Sequence, residues 1–293
     1  MRLTRITPGF PKAQLRNLAF FLTALALLLQ LGCSGPPEEL VSPAPDQHTL
    51  VQDGISLPRF DTAENQLNYA FSGLIDPKEK MAAFRAVLAR FPQDRPACAR
   101  AALGLAYLYL EPEYRFATDL EIRQSINDFE RVLADYGDLP DIRAKALWYL
   151  GWSHTELNND PDLGLPYYWQ IVHTLGNVPM HLSPTVPWIN LVYTQESSLK
   201  ALKPAGPQTY WAQVALLEIV RNSPDTAQTL SAFQRLMDRF GASQAAGLAL
   251  KHMLSHPKLA SHALPLAAVY LNQPRTNPYL ARDIRALMEK AGS

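Results

Sequence analysis

From about Asp61 to the end of the chain, apolar residues recur every three to four positions in segments rich in alanine and leucine. Proline, glycine, aspartate and asparagine interrupt these segments, and no run alternates apolar and polar residues as a half-buried strand would. The spacing therefore predicts an all-α fold built from short helices. Helix starts are expected where a polar residue precedes a proline, namely at Asp76-Pro77, Asp160-Pro161, Ser223-Pro224 and Asn277-Pro278.

One apolar pattern recurs four times in this helical part. Each copy has an aromatic residue, two aliphatic residues at its fourth and fifth positions, a bulky apolar residue at its eighth, and then proline or glycine. The copies are Phe84-Val87-Leu88-Phe91-Pro92, Phe129-Val132-Leu133-Tyr136-Gly137, Tyr168-Ile171-Val172-Leu175-Gly176 and Phe233-Leu236-Met237-Phe240-Gly241. These positions share one face of a helix. The copies begin 45, 39 and 65 residues apart, which indicates a repeat of uneven length.

The segments that follow the first two copies carry a second signature, Leu103-Gly104 with Tyr107 in the first and Leu150-Gly151 in the second. Together the two patterns resemble the tetratricopeptide repeat, in which pairs of helices stack into a solenoid. The chain departs from the family at Arg100 and Leu147, where tryptophan is usual, and at His154, where tyrosine is usual. The resemblance implies a tetratricopeptide-like α-solenoid over residues 59–178. Residues 179–293 would then be a C-terminal helical region of degenerate repeats or a second helical domain.

The same resemblance implies a concave groove that would bind an extended peptide or a partner helix. The family's groove positions fall here on five candidate partner-binding residues, Lys145, Trp148, Trp152, Thr155 and Glu156. Two tryptophans beside a lysine and a glutamate would form a recognition face. The alternative is that Trp148 and Trp152 belong to the core, because their side chains are large and apolar.

The N-terminus combines basic residues with an uncharged apolar run, Leu18 to Leu29, and has no acidic residue before Cys33. This pattern is typical of a signal peptide, since the run is too short to span a ~30 Å hydrocarbon core. Gly32-Cys33 resembles the lipobox of bacterial lipoproteins, although Gln30 stands where that family usually has leucine. The resemblance implies a signal peptide over residues 1–32, palmitate-type lipidation of Cys33, and sorting to the outer membrane because Ser34 follows. The alternative is an ordinary signal peptide that leaves Cys33 as a free thiol.

Prolines are frequent after the lipobox, so residues 33–58, from the lipidated cysteine onward, are predicted to be a semi-extended tether. Removal of residues 1–32 takes away four of the 27 basic residues and none of the 27 acidic ones, which leaves a formal charge of −4. This charge argues against nucleic-acid binding through a basic face. Cys98 has no partner for a disulfide once Cys33 is lipidated, and its alanine-rich surroundings predict a small packed residue.

The sequence lacks the motifs of phosphate loops, dinucleotide-binding folds, serine hydrolases and zinc proteases. His252 and His256 have a spacing compatible with a shared metal, but no acidic residue lies between them, so we interpret them as surface or core histidines and expect no metal and no cofactor. Gln195-Glu196-Ser197, with a Pro-x-Gly turn some residues later, resembles the catalytic opening of lytic transglycosylases. In such an enzyme Glu196 would be the general acid and base. The Gly-Leu-Met-Gln stretch that this family places after the turn is absent.

These patterns together predict a periplasm-facing outer-membrane lipoprotein that acts as a scaffold for protein partners in an envelope assembly or export system. Its expected partners are envelope proteins and, through the lipid, the membrane, but not nucleic acid. The main alternative is a peptidoglycan-cleaving enzyme, or an inactive relative of one, that uses Glu196. A third possibility is a spacer whose groove is filled by its own C-terminal helix, Pro278 to Lys290.

Overall fold

The computed structural model describes residues 49–72, 76–110, 117–179, 210–273 and 278–292. Within these ranges the chain is mostly helical, which confirms the all-α expectation at the level of fold class. The helices are α1 (Ala63–Ala70), α2 (Pro77–Arg90), α3 (Arg95–Leu108), α4 (Asp119–Tyr136), α5 (Pro140–Trp152), α6 (Pro161–Thr174), α7 (Trp211–Asn222), α8 (Thr226–Phe240), α9 (Gln244–Ser255), α10 (Pro257–Leu271) and α11 (Pro278–Gly292). A π-helical turn, Ser153–Leu157, continues α5.

A β-hairpin precedes the helices, where the sequence predicted the last part of a tether. Its strands are β1 (Thr49–Gln52) and β2 (Ile55–Pro58), which pair antiparallel around Asp53 and Gly54. Both turn residues have positive φ, 53° and 77°, as a tight hairpin turn requires. Leu57 is buried against the helices, and Asp53 forms an ion pair with Arg85 of α2 at 2.7 Å. Residues 49–58 therefore belong to the folded body, and the tether prediction was wrong for them.

Three of the four predicted helix starts are right, because α2, α6 and α11 begin at Pro77, Pro161 and Pro278. Asp76 accepts a hydrogen bond from the Glu79 amide at 2.9 Å, and Asp160 accepts one from the Leu163 amide at 3.1 Å. The prediction at Ser223 was displaced by two residues, because Asp225 caps α8 through the Ala227 amide at 2.8 Å. In each helix the cap satisfies an amide that has no partner inside the first turn.

Each helix from α1 to α10 packs against the helix that follows it in the chain. Connections of one to four residues join most neighbours, so these neighbours run antiparallel. Helices two places apart also pack, namely α1 on α3, α3 on α5, α7 on α9 and α9 on α11. If the helices are paired from α1 and α2 onward, the first helix of one pair therefore lies on the first helix of the next from α1 to α5 and again from α7 to α11.

Ion pairs join several of these first helices. Arg100 of α3 binds Glu64 of α1 at 2.6 Å, and Lys251 of α9 binds Asp283 of α11 at 3.3 Å. Between α3 and α5 the contact is aromatic, with the rings of Tyr107 and Tyr149 5.5 Å apart.

All four copies of the apolar pattern lie on the second helix of a pair, on α2, α4, α6 and α8. The first and fourth positions are buried in every copy, and the fifth is half-buried in every copy. Two of the aromatic rings pack directly against a glycine. A Cβ at Gly104 would stand 2.6 Å from the ring of Phe84, and one at Gly151 would stand 2.7 Å from the ring of Tyr168. The recurring aromatic residue is therefore a packing residue, and in these two copies it packs on a glycine of the facing helix.

The residues on either side of range 180–209 lie next to each other. Pro179 and Tyr210 form an antiparallel bridge, and the Trp211 amide donates to the Val178 carbonyl at 3.2 Å. The chain thus leaves α6 and enters α7 at one place, and α7 packs directly on α6.

Helix α11 packs on α9 and α10 and buries Leu280, Ala281 and Ile284 against them. Its opposite face carries exposed charged residues, among them Arg282 and Arg285. It therefore continues the series of first helices, rather than lying on α5, where the predicted groove residues are. The prediction that this helix fills that groove was wrong.

Candidate functional site

The five predicted groove residues lie on one face of α5 and in the π-helical turn, but most of that face is buried. Lys145 is 5% exposed, Trp148 is 1% exposed and Thr155 is 6% exposed. Trp152 is half-buried, and Glu156 alone among the five is exposed. Lys145, Trp148 and Thr155 therefore cannot face a partner in this structure, and the alternative that Trp148 belongs to the core is right.

Lys145 takes part in a polar cluster that joins α5 to α7. Its ammonium group lies 2.6 Å from one carboxylate oxygen of Asp141. The other oxygen accepts a hydrogen bond from the indole Nε1 of Trp211 at 3.3 Å. Lys145 and Trp211 are both buried, and burial of a hydrogen-bond donor without an acceptor is unfavourable. The Asp141 carboxylate provides that acceptor for both side chains. The cluster fixes the position of α7 on α5, which is a structural role.

The π-helical turn lies beside these residues. Thr155 donates to the Gly151 carbonyl at 2.9 Å, and Gly164 of α6 packs so closely that a Cβ there would stand 2.5 Å from Thr155 Cγ2. The Ser153 hydroxyl in the same turn is completely buried and has no hydrogen-bond partner among the residues that the structure describes. π-Helical turns often occur at functional sites. Here the turn accommodates a close crossing of α5 and α6.

An open pocket of about 450 Å³, which we call the outer pocket, lies where α4 turns into α5. This outer pocket is lined by Arg95, Leu133, Ala134, Asp135, Gly137, Asp138, Arg143 and Gln170. Arg95 donates to the Asp135 carbonyl at 2.7 Å and also binds Asp138, and that hydrogen bond lowers the pKa of the Asp138 carboxyl. The side chains of Arg143 and Gln170 form no hydrogen bond in the described part of the chain. The pocket thus offers a guanidinium and an amide to a polar ligand group.

Next to Gln170, a cluster of three exposed or half-buried side chains covers the outer faces of α6 and α8. The guanidinium of Arg235 lies 5.2 Å from the centre of the Trp169 ring, and Trp169 stacks on His173 with ring centres 5.5 Å apart. We call Trp169, His173 and Arg235 the outer aromatic cluster. Tryptophan and arginine are the residue types that most often dominate the binding energy of protein interfaces. The cluster and the outer pocket together are the candidate partner-binding site.

The sequence analysis did not identify this site, although one signal was present. Trp169 occupies the second position of the third copy of the apolar pattern, which lies on the outer side of the helix. The same position holds Arg85, Glu130 and Gln234 in the other copies. A tryptophan among polar equivalents indicates a surface with a binding role. Arg235 has no such signal, because it meets Trp169 only through the packing of the helices.

His252 and His256 lie together, with ring centres 4.3 Å apart. In the described part of the chain, no group of three histidine, cysteine, aspartate or glutamate residues is placed to hold a metal. Cys98 is buried, as expected of a small packed residue, and its thiol donates to the Phe91 carbonyl at 3.3 Å. Burial raises the pKa of this thiol.

Two predicted residues, Cys33 and Glu196, lie outside the described residues. None of the described helices is both long and apolar enough to cross a membrane. Comparison with known proteins found no match to this chain, whether among protein families, curated proteins or solved structures.

Proposed function

We propose that this chain is a lipid-anchored, tetratricopeptide-like α-solenoid that holds protein partners in the bacterial cell envelope. The observation that carries the proposal is the equivalent burial of the four copies of the apolar pattern on α2, α4, α6 and α8. Stacks of equivalent helix pairs grow in one dimension and present long surfaces, which suit protein binding. The lipobox around Cys33 supports an anchor at the other end of the chain.

The spacing of the copies also supports the repeat assignment. The third and fourth copies begin 65 residues apart in the sequence. Range 180–209 accounts for 30 of these residues, and the residues that flank it meet at the Pro179–Tyr210 bridge. The remaining spacing is 35 residues, close to the roughly 34-residue period of tetratricopeptide repeats.

Partner binding is proposed for the outer side of the stack, at the outer aromatic cluster and the outer pocket. The inner face is unsuitable around α5 and α7, because residues 144–151 and 211–220 are all buried. On the outer side, Trp169 supplies an apolar surface, while Arg143 and Arg235 supply hydrogen-bond donors. A partner segment with an aromatic or aliphatic side chain and nearby carbonyl or carboxylate groups fits this combination.

The test is photo-cross-linking in native membranes, with a photoreactive amino acid at position 170. Gln170 is exposed, lies beside Trp169 and lines the outer pocket. Arg131 is the matched control, since it is exposed and holds the same third position of the pattern one pair earlier, on α4. We expect one protein to cross-link near stoichiometry from position 170 but not from position 131, and the Trp169→Ala change should reduce that yield at least tenfold.

Equal labelling from both positions, or an unchanged yield in Trp169→Ala, would show that the outer aromatic cluster is not the binding site. If no protein cross-links from either position and peptidoglycan fragments co-purify instead, the scaffold proposal fails. Muropeptide release should then be compared between the unaltered chain and Glu196→Gln, since only an enzyme that uses Glu196 would lose activity.

A further inference from the structure

A single residue, His256, connects α9 to α10, and a second histidine lies in the last turn of α9. His256 ends α9 and also begins α10, so both helices depend on its conformation. His252 lies one helical turn earlier, and the centres of the two imidazole rings are 4.3 Å apart. Nδ1 of His256 lies 2.9 Å from the His252 carbonyl oxygen. Two titratable rings therefore contact each other at the point where the chain reverses direction.

The charged groups around His252 are mainly positive. Arg221 approaches from α7, and Arg221 and His256 both disfavour a positive charge on the His252 ring. Glu218 precedes Arg221 on α7 and lies 3.8 Å from the Arg221 guanidinium, which engages its charge. From α10, the nearest ammonium group is that of Lys258, which is exposed.

A carboxylate on α11, which also packs on α9, already forms ion pairs. Asp283 of α11 binds Lys251 at 3.3 Å and Arg282 at 3.5 Å. Among the described residues, α8 contributes no charge that acts on the His252 ring. A proton on His252 would therefore find no free carboxylate beside it.

Burial, and to a smaller extent the positive charges of His256 and Arg221, together lower the pKa of His252 to about 4. In an unfolded or opened chain the imidazole returns to its ordinary pKa of about 6.5. The unfolded chain therefore binds the proton more tightly than the folded chain between these two values. Stability is complete above pH 6.5, and it is lost as the pH falls from 6.5 towards 4.

We propose that the His252–His256 corner is an acid-sensitive hinge, at which proton uptake by His252 separates α9 from α7. The His252 ring is half-buried, so a protonated ring gains hydration when α9 moves away from α7. Because α11 packs on α9 and α10, it would lose its contacts when the corner opens. Acid would thus loosen the last three helices before the pairs that precede α7.

The test is urea unfolding of the full chain in neutral detergent at pH 7 and pH 5, together with hydrogen exchange of the backbone amides. Protonation of His252 should make the unfolding equilibrium constant about 20-fold larger at pH 5 than at pH 7, given pKa values of about 4 and 6.5. His252→Gln should lose this part of the acid effect. His262→Gln is the control, because His262 is exposed on α10 and should leave the acid effect unchanged.

Amides of α9 and α10 should lose protection at pH 5 while those of α4 keep it. An equal acid effect in the unaltered chain and in His252→Gln would overturn the proposal. So would protection that falls uniformly along the chain. If His252→Gln does not fold, NMR titration of the imidazole C2 protons in the unaltered chain decides the question. A His252 resonance that titrates near pH 4 supports the hinge, and one that titrates at 6.5 or above overturns it.

Discussion

Two buried serines provide a matched test of how hydrogen bonding of buried hydroxyl groups affects the stability of this fold. Ser125 of α4 and Ser153 of the π-helical turn are both completely buried. The Ser125 hydroxyl donates to the Ala106 carbonyl on α3 at 2.7 Å, whereas the Ser153 hydroxyl has no partner within the described ranges. Replacement of each serine by alanine removes the same atom from a helical position. The structure predicts opposite effects on the free energy of unfolding.

Ser125→Ala should destabilise the protein. The Ala106 carbonyl lies in the last turn of α3, and the Leu110 amide bonds to the Tyr107 carbonyl instead. Loss of the hydroxyl therefore leaves a buried carbonyl without a partner, at a cost of ~1–3 kcal/mol. The better helix propensity of alanine returns about 0.5 kcal/mol. The expected net loss is about 1–2 kcal/mol.

Ser153→Ala should stabilise the protein by about 1 kcal/mol, because it removes a buried hydroxyl without a partner and adds the same propensity gain. The two variants should then differ by about 2–3 kcal/mol, or roughly 5–10 °C in melting temperature for a body of this size. Thermal unfolding followed by circular dichroism at 222 nm measures the difference. Equal melting temperatures, or a Ser153→Ala variant that melts below Ser125→Ala, would refute the assignment of a hydrogen bond to Ser125 and of none to Ser153.

Two further predictions concern the helix contacts and the anchor. Gly104→Ala should lower the free energy of unfolding by about 1–2 kcal/mol. The new Cβ would overlap the Phe84 ring, and the energy cost of this overlap should exceed the stabilisation that alanine's better helix propensity provides. The added change Phe84→Leu should recover part of that loss in a double-mutant cycle, whereas a Gly104→Ala chain more stable than the original would contradict the close packing. Cys33→Ser should abolish labelling by radioactive palmitate and move the chain from the membrane to the soluble fraction, as lipidation of Cys33 requires; retained labelling would contradict the anchor.

The helical class of this protein could be predicted because it depends on neighbours along the chain. Phe84 and Val87 face the core together, since three residues of helix bring them to the same side. Asp76 and Asp160 could be recognised as caps, because each bonds an amide three residues later. The hairpin was missed although its Asp53-Gly54 turn is a strong local signal. The prolines that precede it in the sequence suggested an extended tether, and the burial of Leu57 is visible only once the helices are in place.

The candidate site could not be predicted in the same way. The face of α5 that carries Lys145 and Trp148 has the composition of a groove, but α7 approaches it, with Trp211 bonded to Asp141 from 70 residues further along the chain. Only that distant contact reveals the face as part of the core. Residues that resemble a binding surface in the sequence therefore became packing residues in the fold.

The sequence by itself determined the helices, their caps, the recurring apolar pattern and the expectation of a lipid anchor at Cys33, because each of these depends on residues close together in the chain. Only the tertiary structure decided which faces remain open to partners. Trp169 and Arg235 are 66 positions apart in the sequence, and they meet on the outer side because the residues around range 180–209 bring α7 directly onto α6. Burial is a property of the whole packed chain, so no local pattern could assign it.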